Sequence, residues 1–202
     1  MYNSTSSSTP RAGPALPTRT TRRPSRRSTR TRTCCSSATC LRAMQDIETY
    51  AGWPAACGLA GIFFDETQAG LTQTYTAYTD TARNATWPGR TTAYVILNPG
   101  EDIGASDYYT FADQIVTFEN TYAQYQNQAP LPLPHPVQQS VIINSFNGTS
   151  ETLASVVQAF ETSGLASAYI TDLDVDIYKS FGRDWTVFVQ DVNTESGSGV
   201  SR

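Results

Sequence analysis

Histidine, cysteine and long apolar runs are all scarce in this sequence, and each scarcity excludes a class of protein. The single histidine, His135, excludes a histidine-rich metal centre and leaves a Ser-His-Asp triad only one possible base. Four cysteines are too few to build a disulfide scaffold for 202 residues. No run of about 18 apolar residues occurs, so no transmembrane helix is predicted. We therefore expect no metal, no cofactor and no membrane-spanning segment.

Basic residues are concentrated at the start of the chain and are rare in the rest of it. Residues 1–44 contain nine arginines and no acidic residue, whereas residues 45–202 contain five basic and eighteen acidic groups, a net charge of −13. A nucleic acid would be repelled by such a surface, so we expect no nucleic-acid partner for residues 45–202.

The arginine-rich segment, residues 1–44, does not have the composition of a folded domain. It has little apolar surface to offset the cost of ordering the backbone, about 1–2 kcal/mol per residue. We expect a disordered tail or a stretch translated from a wrong reading frame. A basic arm that binds an acidic surface and an organelle-targeting peptide are the alternatives.

Five short apolar runs follow residue 45, and each ends in polar residues or a turn. The runs are continuous rather than alternating, which indicates strands buried on both faces of a parallel sheet. Between the last two runs, residues 151–163 show helical spacing of apolar side chains, with Ser150 as the expected N-cap and Gly164 as the expected stop. The five predicted strands are 61–64, 93–97, 114–119, 140–144 and 168–172.

Strands that alternate with helices and end in polar residues are typical of a (β/α) barrel. A complete barrel has eight such units in about 250 residues, and five units occupy residues 45–202 here. The sequence therefore predicts an α/β fold of the (β/α)8 TIM-barrel type, with the last five units visible and the first three missing. An open, doubly wound sheet of five units is the alternative.

Three acidic residues stand at predicted strand ends, where a barrel places its active site. Asp65 and Glu66 follow the first strand, and Glu119 ends the third. Carboxylates without a histidine or a metal set suit glycoside hydrolysis better than acyl or phosphoryl transfer. We predict that these three acids are catalytic; helix capping or pairing with basic residues is the structural alternative.

Five segments together resemble the spherulation-specific family 4 (spherulin 4-like) proteins: 61–66, 96–100, 115–119, 169–172 and 178–182 followed by Trp185. Their order is kept over residues 45–190. The resemblance implies a (β/α)8 fold and, as in characterised fungal members, an endo-acting glycosidase. The substrate it implies is an α-1,4-linked polysaccharide of galactosamine and N-acetylgalactosamine. The family's conserved acids fall on Asp65, Glu66 and Glu119.

The resemblance does not extend to residues 1–44, because family members begin with three further strand units. We expect a truncated or mis-spliced frame that enters the family pattern near residue 45, and an inactive fragment is then one interpretation. The family otherwise implies an extracellular or cell-surface protein, although no signal peptide is visible, and we expect a monomer with a polysaccharide partner.

Substrate-binding residues are predicted beside the acids. Asn98, at the end of the second strand, is the best candidate for a hydrogen bond to the sugar, and Tyr94 and Asp172 are further candidates. In the predicted mechanism Glu66 or Glu119 is the general acid, the other is the base or nucleophile, and Asp65 orients a partner or the acetamido group. The competing function is a non-catalytic cell-wall or spore-coat protein that binds polysaccharide.

Overall fold

The computed structural model describes residues 38–104 and 106–198, which belong to one compact unit, Thr33–Arg202. The described residues form a parallel β-sheet and five α-helices. The strands are β1 (Gly61–Phe64), β2 (Tyr94–Leu97), β3 (Gln114–Thr121), β4 (Gln139–Asn144) and β5 (Ser167–Ile170). The helices are α1 (Ala38–Ala51), α2 (Thr72–Asn84), α3 (Tyr122–Gln128), α4 (Ser150–Ser163) and α5 (Trp185–Ser198).

The strands lie in the sheet in the order in which they occur in the chain. Each of β1 to β4 pairs in parallel with the next strand. A doubly wound sheet reverses its strand order at a switch point, and this sheet has no reversal. The predicted α/β fold with five parallel strands is confirmed, and the doubly wound alternative does not fit the described sheet.

Helices cover one face of the sheet. A sequential parallel order joined by right-handed crossovers places every helix on the same side. On that side Leu97 packs with α1 and α2, while Val141 and Ile143 pack with α4 and α5. The opposite face carries Phe63 and Tyr94, which are 47% and 44% exposed. The sheet therefore has a packed face and an open face.

The start of α4 and the connection between β2 and β3 differ from the sequence prediction. Thr149, and not Ser150, caps α4, because its side chain accepts a hydrogen bond from the backbone N–H of Thr152. The helix does end at Gly164, whose φ of 74° lies in the left-handed region that glycine adopts without strain. The strict alternation of strands and helices fails between β2 and β3, where the described chain forms only the 3-10 helix Ser106–Thr110.

Helix α1 crosses the boundary predicted between residues 44 and 45. Cys40 and Ile47 lie on its inner side and are both buried in the core that also contains α2. The packed structure therefore begins earlier than the composition suggested, because α1 also buries Ala51 and packs Ala43 and Met44 against the same core. The rest of the predicted basic segment, residues 1–37, lies outside the described residues.

The described helices were compared with the length and apolar character that a membrane-spanning helix needs. No described helix is both long enough and apolar enough to cross a bilayer.

Candidate active site

Three of the predicted polar residues meet at the carboxyl ends of β1, β2 and β3. The side-chain nitrogen of Asn98, Nδ2, donates to Asp65 Oδ1 at 2.9 Å and to Glu119 Oε2 at 2.5 Å. Because both oxygens are bonded to one nitrogen, they lie at most about 5.4 Å apart, the sum of the two distances. Asp65 and Glu119 therefore face the same space above the open face of the sheet.

Asn98 is held so that its amide nitrogen faces the two acids. The side chain is 3% exposed, and its Oδ1 accepts a hydrogen bond from the backbone N–H of Gly100 at 3.0 Å. An amide oxygen cannot donate to a carboxylate, so the reversed orientation would lose all three bonds. Asn98 thus acts as a bridge that links Asp65 to Glu119.

A one-residue bulge in β3 turns Glu119 toward this space. Val116 pairs with Ser140 and Phe118 pairs with Val141, which leaves Thr117 as an extra residue in the strand. Side chains alternate between the two faces of a strand, so an extra residue reverses the alternation beyond it. If Thr117 were an ordinary paired residue of the strand, Glu119 would lie on the same helix-covered face as Ile115. β3 also continues to Thr121, so Glu119 lies inside the strand and not at its end as predicted.

Glu66 occupies a strained position in the turn after β1. Its φ is 52°, in the left-handed region that costs a non-glycine residue about 1–2 kcal/mol. The turn is held because the backbone N–H of Thr67 donates to the carbonyl oxygen of Asn98 at 2.9 Å, and the N–H of Glu66 donates to Asp65 Oδ1 at 3.0 Å. Strain of this kind collects at functional sites. The Glu66 side chain is exposed, and its backbone is joined to the Asp65–Asn98–Glu119 group through the bond to Asp65.

Tyr178 completes the group and was not predicted as a site residue. Its hydroxyl donates to Glu119 Oε1 at 2.6 Å, across 59 residues of sequence. Burial raises the pKa of Tyr178, and the hydrogen bond to Glu119 and the charges of Glu119 and Asp65 raise it further. The hydroxyl therefore keeps its proton and donates throughout the ordinary pH range. The signal in the sequence was its place in the segment 178–182, which carried the family resemblance.

Tyr94 and Asp172 lie apart from this group. Tyr94 opens β2, four residues before Asn98, which is about 13 Å along an extended strand. Asp172 follows β5, and its side chain faces Arg183, with Oδ2 of the carboxylate 3.9 Å from Nε of the guanidinium. The structure gives neither residue a hydrogen bond to Asp65, Asn98 or Glu119, and their part in substrate binding stays a prediction.

The chemistry available at this site is that of carboxyl groups. Within residues 38–104 and 106–198, no group of three or more His, Cys, Asp or Glu side chains is placed to hold a metal ion. Two carboxyl groups with oxygens at most about 5.4 Å apart can attack a carbon and transfer a proton, which are the two operations that cleavage of a glycosidic bond requires.

Comparison with known proteins agrees with the segments that suggested the family. The model of the family described as spherulation-specific family 4 matches residues 31–192. A solved structure, Sph3 from Aspergillus clavatus in complex with GalNAc, is 31% identical, with a TM-score of 0.66 over 78% of this chain and 68% of that one. No curated protein sequence matches the chain. On the family match and this structural likeness, the chain belongs to spherulation-specific family 4.

Proposed function

We propose that this protein is a glycoside hydrolase that cleaves a polysaccharide by carboxylate acid–base catalysis. The observation that carries the proposal is the shared hydrogen bonding of Asp65 and Glu119 to one amide nitrogen of Asn98. Two carboxyl groups held at this distance on one side of a sheet, with an open space above them, have the arrangement that glycosidases use.

The geometry favours Asp65 as the nucleophile and Glu119 as the general acid and base. Asp65 is exposed, and its Oδ2 has no hydrogen-bond partner among the described residues, so this oxygen is free to attack. Glu119 is half-buried, and Asn98 and Tyr178 hold one oxygen each, which fixes its direction as proton transfer requires. Glu66, which is exposed in the turn after β1, then orients the substrate. This exchanges the roles that the sequence suggested for Asp65 and Glu66.

The distance between the two carboxyl groups predicts the stereochemistry. A separation of about 5 Å is typical of retaining enzymes, whereas inverting enzymes need about 6.5–9.5 Å to admit a water molecule. The upper limit of about 5.4 Å between Asp65 Oδ1 and Glu119 Oε2 supports the retaining class. We propose retention, through a glycosyl-enzyme ester on Asp65 that water later hydrolyses with Glu119 as the base.

The proposed substrate is an α-1,4-linked polymer of galactosamine and N-acetylgalactosamine. Two observations support it: the family resemblance, and the 31% identity to Sph3, whose crystal structure is a complex with GalNAc. A polymeric substrate of this kind occurs outside cells, so we propose an extracellular or cell-surface location. We also propose that the protein acts on the polysaccharide as a monomer.

We also propose that the five strands are the last five of a (β/α)8 barrel. The support is the sequential strand order, the placement of the helices on one face, and the position of the polar group at the carboxyl ends of the strands.

The test is release of reducing ends from the purified polymer. The native chain should release them, and Glu119→Gln should release none, because the amide can still accept from Tyr178 but cannot transfer a proton. Glu48→Gln, an exposed position on α1, is the matched control and should keep full activity. Proton NMR of the first product should show the α anomer.

Azide separates the two roles. With Glu119→Ala, azide should restore turnover and give the α-glycosyl azide, whereas with Asp65→Ala it should give the β product. A native chain that binds the polymer and releases no reducing ends would favour the non-catalytic binding protein instead.

A further inference from the structure

The loop between β5 and α5 exposes aromatic side chains beside the candidate active site. Tyr178 is 62% exposed and Phe181 is 73% exposed. They border a hollow of about 280 Å³, whose lining is Tyr169, Tyr178, Lys179, Ser180 and Phe181. We call these five residues the loop subsite. Contact of water with such apolar rings is unfavourable, so a ligand that covers them gains free energy.

Both exposed rings are held in place. Tyr178 stacks on Tyr169, with ring centroids 6.1 Å apart and planes 25° apart, and its hydroxyl is bonded to Glu119. Phe181 stacks on Trp185, with centroids 4.8 Å apart and planes 24° apart. Rings that are already fixed lose little conformational entropy when a ligand binds. The loop subsite therefore offers rigid apolar surfaces.

The backbone around the rings is also tied down. The Tyr169 hydroxyl donates to the carbonyl oxygen of Ile177 at 2.8 Å, and Lys179 pairs with Asp176 at 2.6 Å. Gly182 fits against Asp172 so closely that a Cβ there would lie 2.1 Å from the carboxylate. These contacts hold the segment in one shape, so the hollow is formed before any ligand arrives.

We propose that the loop subsite binds one pyranose ring of the polysaccharide, next to the bond that is cleaved. A pyranose has an apolar C–H face that can lie on an aromatic ring and a rim of hydroxyls that can bond to Lys179 and Ser180. Tyr178 joins the hollow to Glu119, so a sugar in it is continuous with the catalytic centre. This inference rests on the proposed function, because it takes the same polymer as ligand.

Calorimetric titration with an α-1,4-linked N-acetylgalactosamine oligosaccharide tests the subsite, in a Glu119→Gln background that prevents turnover. Phe181→Ala and Tyr178→Ala should each weaken binding about tenfold, because each removes a stacking ring. Tyr178→Phe keeps the ring and loses only the hydroxyl, so its affinity should stay within about twofold of the background. Val175→Ala, exposed in the same loop, is the control for general disturbance and should change nothing.

The outcomes separate the subsite from the hydrolase. Unchanged affinity in both Phe181→Ala and Tyr178→Ala overturns the subsite even when the native chain hydrolyses the polymer. Weakened affinity in these variants, with no hydrolysis by the native chain, supports the subsite and overturns the proposed hydrolase activity. Failure of the Glu119→Gln chain to bind the oligosaccharide overturns the subsite. A change of sedimentation in Phe181→Ala, with affinity unchanged, overturns it too and assigns the rings to self-association.

Discussion

Replacing Asn98 by aspartate should destabilise the protein by about 3 kcal/mol at neutral pH. The substitution keeps the size of the side chain and exchanges its NH2 donor for a carboxylate oxygen, so the bonds to Asp65 and Glu119 become repulsions. A hydrogen bond to a charged group contributes about 1.5–3 kcal/mol, and two are lost. The lower half of that range applies, because Asp65 is exposed and Glu119 is partly exposed, and solvent screens their charges.

The loss of stability in Asn98→Asp should be larger at neutral pH than at acidic pH. In the folded variant the new carboxyl group faces two others, which raises its pKa above the value of about 3.9 for an unfolded aspartate. The folded state therefore binds the proton more tightly than the unfolded state does. The penalty is full at pH 7 and shrinks as the pH falls toward 4, because protonation restores a donor.

Urea unfolding at pH 7 and pH 4.5 measures the change in the free energy of unfolding. In thermal unfolding at pH 7 the melting temperature should fall by about 6–12 °C for a chain of this size. Asn144→Asp is the matched control: it also ends a strand, but its Oδ1 accepts from the Ser145 hydroxyl, which a carboxylate can still do. Equal stability of the native chain and Asn98→Asp at pH 7, or a deficit that does not change with pH, would refute the bridging role of Asn98.

Two further predictions concern the bulge and the alkaline limit of stability. Deleting Thr117 should leave turnover in place, because Val116 and Phe118 already pair with consecutive residues of β4 and Glu119 stays on the open face. Deleting both Thr117 and Phe118 should abolish turnover and lower the melting temperature, because Glu119 then points into the core. Burial, with a smaller effect of Asp102, raises the pKa of Tyr109 to about 12. The unfolded chain then loses this proton first, so stability present below pH 10 is lost between pH 10 and about 12. Tyr109→Phe should remove most of that decline in urea unfolding, on the order of 1–2 kcal/mol because solvent screens a partly exposed group.

Either result can fail in a recognisable way. Turnover that survives deletion of both Thr117 and Phe118, or that is lost on deletion of Thr117 alone at an unchanged melting temperature, would mean that the strand register does not set the direction of Glu119. Alkaline stability curves that run parallel in the native chain and Tyr109→Phe would mean that the tyrosine ionises alike in the folded and unfolded chains.

Much of the fold was readable from local patterns. Five continuous apolar runs predicted five parallel strands, and the structure has all five. The end of helix α4 at Gly164 was predicted correctly, because a left-handed cap depends on a single glycine, which the sequence shows directly. The start of α1 was missed, because its attachment depends on packing against α2, which lies more than twenty residues away.

Residue order alone was enough to place Asp65, Asn98 and Glu119 at one end of the sheet, since parallel strands align their carboxyl ends. The side to which each points needed the tertiary structure. Whether a strand contains a bulge depends on pairing with its neighbour, so the face on which Glu119 lies could not be counted from the alternation of β3 alone. The same holds for Tyr178, because contact across 59 residues is set by how the last loop folds back over the sheet.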